Sequence, residues 1–216
     1  MKKVTTHDGS ETFLNEKVGE SYHSFTGAIE EAEKKFCEPT KIKEIARLGE
    51  IKLLDFCFGL GYNSAMAINI ALEENHNCKF EVIALENDPA IIDKIQDVNP
   101  QISYYKHFKK LTLKNHQFKE DNVSVKLYLD DARKIIKTLP DDYFDVVFFD
   151  PFSPKTAPEM WTCAIFSEIK RVMKKGGVLA TYSCARLVRD NLKCAGLNYE
   201  DGPKVGRRGP GTIARN

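Results

Sequence analysis

The stretch that most constrains this chain is residues 51–63, IKLLDFCFGLGYN. Ile51, Leu53 and Leu54 form an apolar run long enough for a buried strand and too short for a helix. Gly59 and Gly61 interrupt it, and an apolar pattern at helical spacing follows through Ala65, Met66, Ile68, Ile70 and Ala71. Strand, glycine turn and helix make the opening unit of a doubly wound sheet, where a ligand approaches the turn closely. The next apolar run, FEVIALE, ends on Glu86. An acidic group at that strand end suits the hydroxyls of a ribose.

The remainder alternates strand and helix and predicts one α/β fold. Residues 123–129 and the run FDVVFFDPFSP read as strands, ending near Asp130–Asp131 and at Asp150. Residues 162–177 predict an amphipathic helix closed by Gly176 and Gly177, followed by a strand, a helix ending at Gly196, and an antiparallel pair. The expected architecture is a Rossmann-like, mostly parallel sheet of seven strands over residues 51–216. Residues 1–50 form an extension packed on it: a hairpin around the Asp8–Gly9 turn, a helix capped by Ser24 or Thr26, and a second helix over residues 41–48. The segment YYKHFKKLTLKNHQFK is basic and aromatic, and reads as a surface amphipathic helix in preference to a nucleic-acid contact.

Composition sets limits. No apolar run approaches the roughly 20 residues of a membrane span, and MKKVTTHDGSETF lacks the apolar block of a secretory signal. Six cysteines without a CxxC pair make zinc binding improbable and read as buried thiols, which points to the cytoplasm. The net charge of +1 hides a polarity: residues 151–216 carry 12 Lys/Arg against 5 Asp/Glu. A basic C-terminal third is compatible with a polyanionic partner and equally with solvated helix faces.

Ligands of open α/β sheets bind at the carboxyl ends of the strands. Gly59, Gly61, Glu86, Asp131 and Asp150 all fall there, with Asp55 just before the turn. Glu86 suits a ribose, Asp131 an exocyclic amine, and Asp55 an ammonium. Carboxylates repel phosphates, and no GK[ST] follows the turn. A cationic nucleoside, S-adenosylmethionine, fits best.

These motifs resemble a known family. DFCFGLGYN, the Glu86 strand end, DDAR and especially FFDPFSPKTAPEMW are similar to the class I S-adenosylmethionine-dependent methyltransferases. More narrowly they resemble the methyltransferase part of the bifunctional tRNA 5-methylaminomethyl-2-thiouridine biosynthesis family. The DGS turn, YHSFTGAIEEA, Val188–Arg189 and Gly206–Arg207–Arg208 extend the likeness over nearly the whole chain. It implies cofactor contacts at Asp55, Phe58, Gly59, Gly61, Asn63, Glu86, Asp131 and Asp150. It implies methyl transfer to the amine of 5-aminomethyl(-2-thio)uridine at the tRNA wobble position, with Asp150 positioning that amine. Tyr22, Phe152, Pro154 and Trp161 would line the acceptor side, and His23 is a further candidate there. Arg186, Arg189, Arg207 and Arg208 would meet the anticodon stem-loop. No metal and no membrane is implied. Cys57 departs from the family, standing where its turn carries a first glycine. The family's flavin-dependent oxidase half has no counterpart here, so the amine is expected to come from upstream tRNA modification enzymes. Three alternatives stay open: a small-amine N-methyltransferase, an aminopropyltransferase of the spermidine synthase type, and a non-catalytic cofactor- or RNA-binding module.

Overall fold

Asp8, in the turn between β1 (Lys2–Thr5) and β2 (Glu11–Asn15), organises the N-terminal segment. Its Oδ2 accepts the backbone N–H groups of Ile29 and Glu30 at 3.1 Å each. Ser10 Oγ accepts that of Ala28 at 3.1 Å. The hairpin turn therefore caps α1 (Ala28–Glu31), the task the sequence assigned to Ser24 or Thr26. Gly27 is required there, because a Cβ would lie 2.4 Å from Asp8 Oδ2. A short strand, β3 (Glu20–Ser21), joins β2. A π-helical stretch, Ala32–Cys37, continues α1, and α2 (Ile42–Ala46) leads into the main sheet.

This computed structural model describes residues 1–206 and 209–216. The central strands are β4 (Glu50–Phe56), β5 (Lys79–Glu86), β6 (Gln117–Glu120), β7 (Val123–Leu129), β8 (Phe144–Phe149) and β9 (Met173–Thr181). β10 (Asn198–Asp201) and β11 (Thr212–Arg215) complete an eight-stranded sheet of order β10-β11-β9-β8-β4-β5-β7-β6. The four pairings among β4, β5, β7, β8 and β9 are parallel. The expected doubly wound architecture is present, with eight strands in place of seven because β6 adds an antiparallel edge to β7.

Helices α3 (Tyr62–Glu74), α4 (Pro89–Lys94), α5 (Ala132–Ile135), α6 (Cys163–Val172) and α7 (Arg186–Cys194) connect the strands. Alternation along β4 sends Ile51 and Leu53 into the apolar layer containing Ala65 and Ile68, and Leu54 and Phe56 into the layer containing Phe166 and Ile169. Helix α6 stops at Val172, earlier than its predicted glycine closure. Met173 already pairs with Phe144, and Lys174 Nζ meets Asp145 Oδ1 at 2.7 Å, so the lysine–glycine segment is strand. Tyr105 and Phe108 of the basic aromatic segment are buried, and Tyr105 donates from its hydroxyl to the Leu60 carbonyl at 2.8 Å. The first half of that segment is a 3-10 helix, Ser103–Lys110, packed on the fold with Lys110 and His107 both paired to Glu120, and its end enters β6.

The expectation of six thiols is corrected at one pair. Cys163 on α6 and Cys194 on α7 form a disulfide, while Cys37, Cys57, Cys78 and Cys184 are free. The bridge closes a loop of 31 residues, which removes about 3–4 kcal/mol of chain entropy from the unfolded state. Thiol titration of the denatured, unreduced protein should therefore count four thiols against six after reduction. Cys194→Ser should lower the unfolding free energy by about 3 kcal/mol. Six thiols without reductant would refute the bridge.

Candidate active site

The parallel order reverses between β4 and β8, and the carboxyl ends of β4, β5, β7 and β8 open there onto a cavity of about 810 Å³. Gly59, Glu86, Asp131 and Asp150 all line it, together with Phe58, Cys57, Tyr22 and Phe152. The N-terminal segment supplies the facing wall through residues 14–25 and Glu31.

Glu86 governs the turn. Its Oε2 accepts the Gly59 N–H at 2.8 Å, and its Oε1 accepts those of Asn87 and Asp88 at 2.9 Å each. Burial nevertheless raises its pKa above the usual carboxylate value against these three donors. The two glycines have different reasons. Gly59, at φ +57, borders the cavity, and a Cβ would touch only the Tyr22 ring at 3.4 Å. Gly61, at φ +77, is absent from the cavity lining; a Cβ there would lie 2.4 Å from the Phe58 ring and 2.9 Å from that of Phe108. Aromatic packing, not ligand approach, requires it.

Asp55 and Asn63 also stand behind the lining. Asp55 is fully buried; Ser64 donates to its Oδ2 at 2.5 Å, and its Oδ1 has no partner among the described residues. Burial, with the Glu86 charge adding, pushes Asp55 up to about 7. Asn63 Nδ2 donates to Asp150 Oδ2 at 3.0 Å, leaving Asn63 Oδ1 buried and unpartnered. Burial pushes Asp150 up to about 8; the charges of Glu31 and Asp55 add, and the Asn63 hydrogen bond opposes. Asp131 caps α5 and forms a two-pronged ion pair with Arg133, whose hydrogen bonds hold it below its ordinary value.

The loop after Asp150 is fastened from several sides. Tyr22 and Phe152 face one another with ring centroids 5.2 Å apart, and Tyr22 donates from its hydroxyl to Asp88 Oδ2 at 2.7 Å. Glu20 of β3 accepts from Ser153 N at 2.9 Å, from Ser153 Oγ at 2.5 Å and from Thr156 Oγ1. Pro154 shares this loop outside the cavity lining. Trp161 requires a correction as an acceptor contact. It is fully buried, packs against Phe149 and Tyr182, and donates from Nε1 to the Phe152 carbonyl at 2.8 Å, so it positions the loop from behind. His23 lines the cavity yet is buried, stacked on Tyr62 and hydrogen-bonded to Thr12; burial lowers it to about 4, so it is neutral.

Among the arginines, Arg186 is 95% exposed. Arg189 is committed internally, to Asp201 at 2.5 Å, to Thr212 at 3.2 Å and to the face of Tyr199. That correction removes it as a free phosphate contact. Arg207 and Arg208 lie outside the described residues. Sequence reasoning missed Glu20, Glu31 and Asp88. Glu31 sits in the run EEAEKK, which reads as a solvated helix face, and nothing local betrays its burial.

The donor set fits a cationic nucleoside: an acidic group at the end of β5, an open glycine turn, and crowded carboxylates whose ionisation a positive ligand would favour. Residues 96–216 match the family described as S-adenosyl-L-methionine-dependent methyltransferase. The chain belongs to that family. Over 98% of its length this methyltransferase is 33% identical to an uncharacterized protein of Methanocaldococcus jannaschii, covering 58% of that protein. It is 26% identical to the tRNA 5-methylaminomethyl-2-thiouridine biosynthesis bifunctional protein MnmC of Leptospira interrogans over 91% of this chain and 32% of that one. The crystal structure of MnmC2 from Aquifex aeolicus superposes with a TM-score of 0.89 at 33% identity, covering 99% of this methyltransferase and 70% of that chain. A spermidine synthase from Thermotoga maritima, at TM-score 0.57 and 13% identity, shares the fold. The methyltransferase thus resembles the methyltransferase part of MnmC and takes S-adenosylmethionine as its cofactor.

Two outcomes follow from the site. Cys57 is held at φ +71, a conformation that disfavours a side chain by about 1–2 kcal/mol. Cys57→Gly should raise stability by about 1 kcal/mol in urea denaturation and Cys57→Val should lower it; the reverse order would remove the strain argument. Asp150 binds its proton more tightly folded than unfolded, so its contribution is full below about pH 4 and is lost as pH rises through about 8. Relative to wild type, Asp150→Asn should gain stability as pH rises across that window. Parallel curves of melting temperature against pH would contradict the assignment.

Proposed function

We propose that this protein methylates the primary amine of 5-aminomethyl(-2-thio)uridine at the wobble position of tRNA, giving the 5-methylaminomethyl nucleoside. The observation that carries the reading is Asp150, a cavity-lining carboxyl pushed up to about 8 beside the aromatic pair Tyr22 and Phe152. The names of the MnmC relatives support the substrate, and their greater length leaves the rest of their activity outside this proposal.

An alkylamine resembles the lysine amine, with a pKa of about 10.4, and must lose a proton before it can attack. From such an amine, transfer to an ordinary carboxylate near 3.8 is uphill by about 9 kcal/mol; to one near 8 it is uphill by about 3 kcal/mol. Burial thus turns a weak base into a usable one, beyond the orienting role that an unperturbed Asp would have. Bound S-adenosylmethionine supplies an electrophilic methyl group on a sulfonium sulfur. The chain's part is to hold the ribose through Glu86, seat the nucleoside against the Gly59 turn, and fix the amine at Asp150. Asp131, already paired with Arg133, would offer the adenine a remaining lone pair, and Asp55 would act from behind the lining through its unpartnered oxygen. Phe152 and Tyr22 offer ring faces to the uracil, with Pro154 stiffening the loop. Arg186 and the basic Arg207–Arg208 segment would meet the anticodon stem-loop phosphates.

The test is methyl transfer from labelled S-adenosylmethionine to tRNA bearing 5-aminomethyluridine, with mass spectrometry of the nucleosides. Wild type should yield the methylaminomethyl nucleoside. Asp150→Asn should cut turnover about 100-fold or more while leaving cofactor affinity within a few-fold. Transfer to small amines but not to tRNA would replace this reading with a small-molecule N-methyltransferase, and equal loss of binding and turnover would make Asp150 a cofactor or folding residue.

A further inference from the structure

A buried ion pair borders the cavity. Glu31, the last residue of α1, and Lys35, one turn on in the π-helical stretch, are 5% and 3% exposed at their side chains. Glu31 Oε1 accepts from Lys35 Nζ at 2.5 Å, and its Oε2 accepts the Ser24 N–H at 2.9 Å. Glu31 lines the same cavity as Asp150. A buried ion pair is seldom the most stabilising choice, since apolar residues of similar size often do as well. π-helical turns inside helices are frequent at functional sites.

The two carboxyls have opposite surroundings. Among the described residues, Asp150 accepts a hydrogen bond from Asn63, and the charges acting on it most are those of Glu31 and Lys35 from the N-terminal helical stretch and Asp55 from β4. Among the described residues the charge that acts most on Glu31 is that of Lys35, His23 nearby being neutral. Burial works against the charge of Glu31, but Lys35 and the Ser24 N–H outweigh it and hold Glu31 below its ordinary value. Two carboxyls facing one cavity with surroundings that push them apart are the arrangement by which a site assigns one to stay ionised and the other to carry protons.

We propose that Glu31 is the positioning residue of the acceptor site: a fixed anion, moderated by Lys35, that keeps Asp150 able to take a proton from the incoming ammonium. The inference rests on the methyl-transfer reading above. In the balanced step the ammonium gives one proton to ionised Asp150. The freed amine lone pair then forms the N–C bond as the methyl C–S bond breaks, and the sulfur keeps that electron pair. The product leaves as a secondary ammonium, and Asp150 returns its proton to water, so each transfer releases one proton.

The experiment is a pH titration of the intact protein with 13C-labelled aspartate carboxyls, followed by NMR, the Asp150 signal being identified by its loss in Asp150→Asn. Glu31→Gln should lower the Asp150 midpoint by about one pH unit or more. The double variant Glu31→Gln/Lys35→Met removes both charges, avoids an unpaired buried lysine, and should still lower the midpoint. In methyl transfer to tRNA bearing 5-aminomethyluridine, the rising limb of the pH profile should move with the NMR midpoint while cofactor affinity stays put. An Asp150 midpoint unchanged in the double variant would overturn the role of Glu31. A wild type inactive on that tRNA would instead overturn the acceptor reading, and the carboxyl titration would still decide what Glu31 does to Asp150.

Discussion

Crowding of carboxylates at the ends of parallel strands is the constraint on which the rest of the site depends. Asp55, Glu86 and Asp150 are all raised by burial, and each is only partly compensated. Two unit charges 4 Å apart near a protein surface interact by about 4 kcal/mol, so such a cluster resists full ionisation. The fold answers with directed donors: three backbone N–H groups on Glu86, the Ser64 hydroxyl on Asp55 and the Asn63 amide on Asp150. These donors bend the glycine turn around Glu86 and fix the start of α3. What they leave unsatisfied is a demand for positive charge, which a sulfonium cofactor and an ammonium acceptor would meet together.

The N-terminal segment is what makes this end of the sheet a cavity. Asp8, held near 2 by hydrogen bonds from Ser10, Thr6 and the Glu30 N–H against its partial burial, is an anion suited to the first turn of α1. That cap orients α1, and α1 carries Glu31 to the cavity wall. From the same segment Glu20 ties down Ser153 and Thr156, and Tyr22 ties to Asp88 across the cavity mouth. Trp161 and Tyr182 hold the carbonyls of Phe152 and Pro151 from the opposite side. The loop after Asp150 is thus clamped between the extension and the sheet, so its geometry is set before any ligand arrives.

Much of this was readable from local pattern. The βα alternation, the glycine turn and the strand-end acids follow from periodicity and punctuation, and these residues do converge: Gly59, Glu86, Asp131 and Asp150 share one cavity. Long-range partners were not readable. Glu31 and Lys35 have the i,i+4 spacing of a solvated pair and are buried only because α1 and the π-helical stretch pack against α3. Trp161 follows a proline-rich loop as a stacking residue would, and its burial depends on Phe149 at the end of β8 and Tyr182 just after β9. Cys163 and Cys194 sit 31 residues apart on two helices, and only their packing makes them partners. Asp8 is the instructive case: its DGS turn is a hairpin signal by sequence and a helix cap by contact.

The fold alone does not choose among the chemistries that share it, as the overlap with a spermidine synthase illustrates. What separates them is the acceptor side. A polyamine donor and a methyl donor both need a cationic nucleoside pocket, and the Glu86 turn would suit either. Opposite lie an aromatic pair, Tyr22 and Phe152, and two carboxyls in contrasting states, Asp150 raised by burial and Glu31 held in an ion pair. The N-terminal segment supplies half of that arrangement, Tyr22 and Glu31, from outside the central sheet.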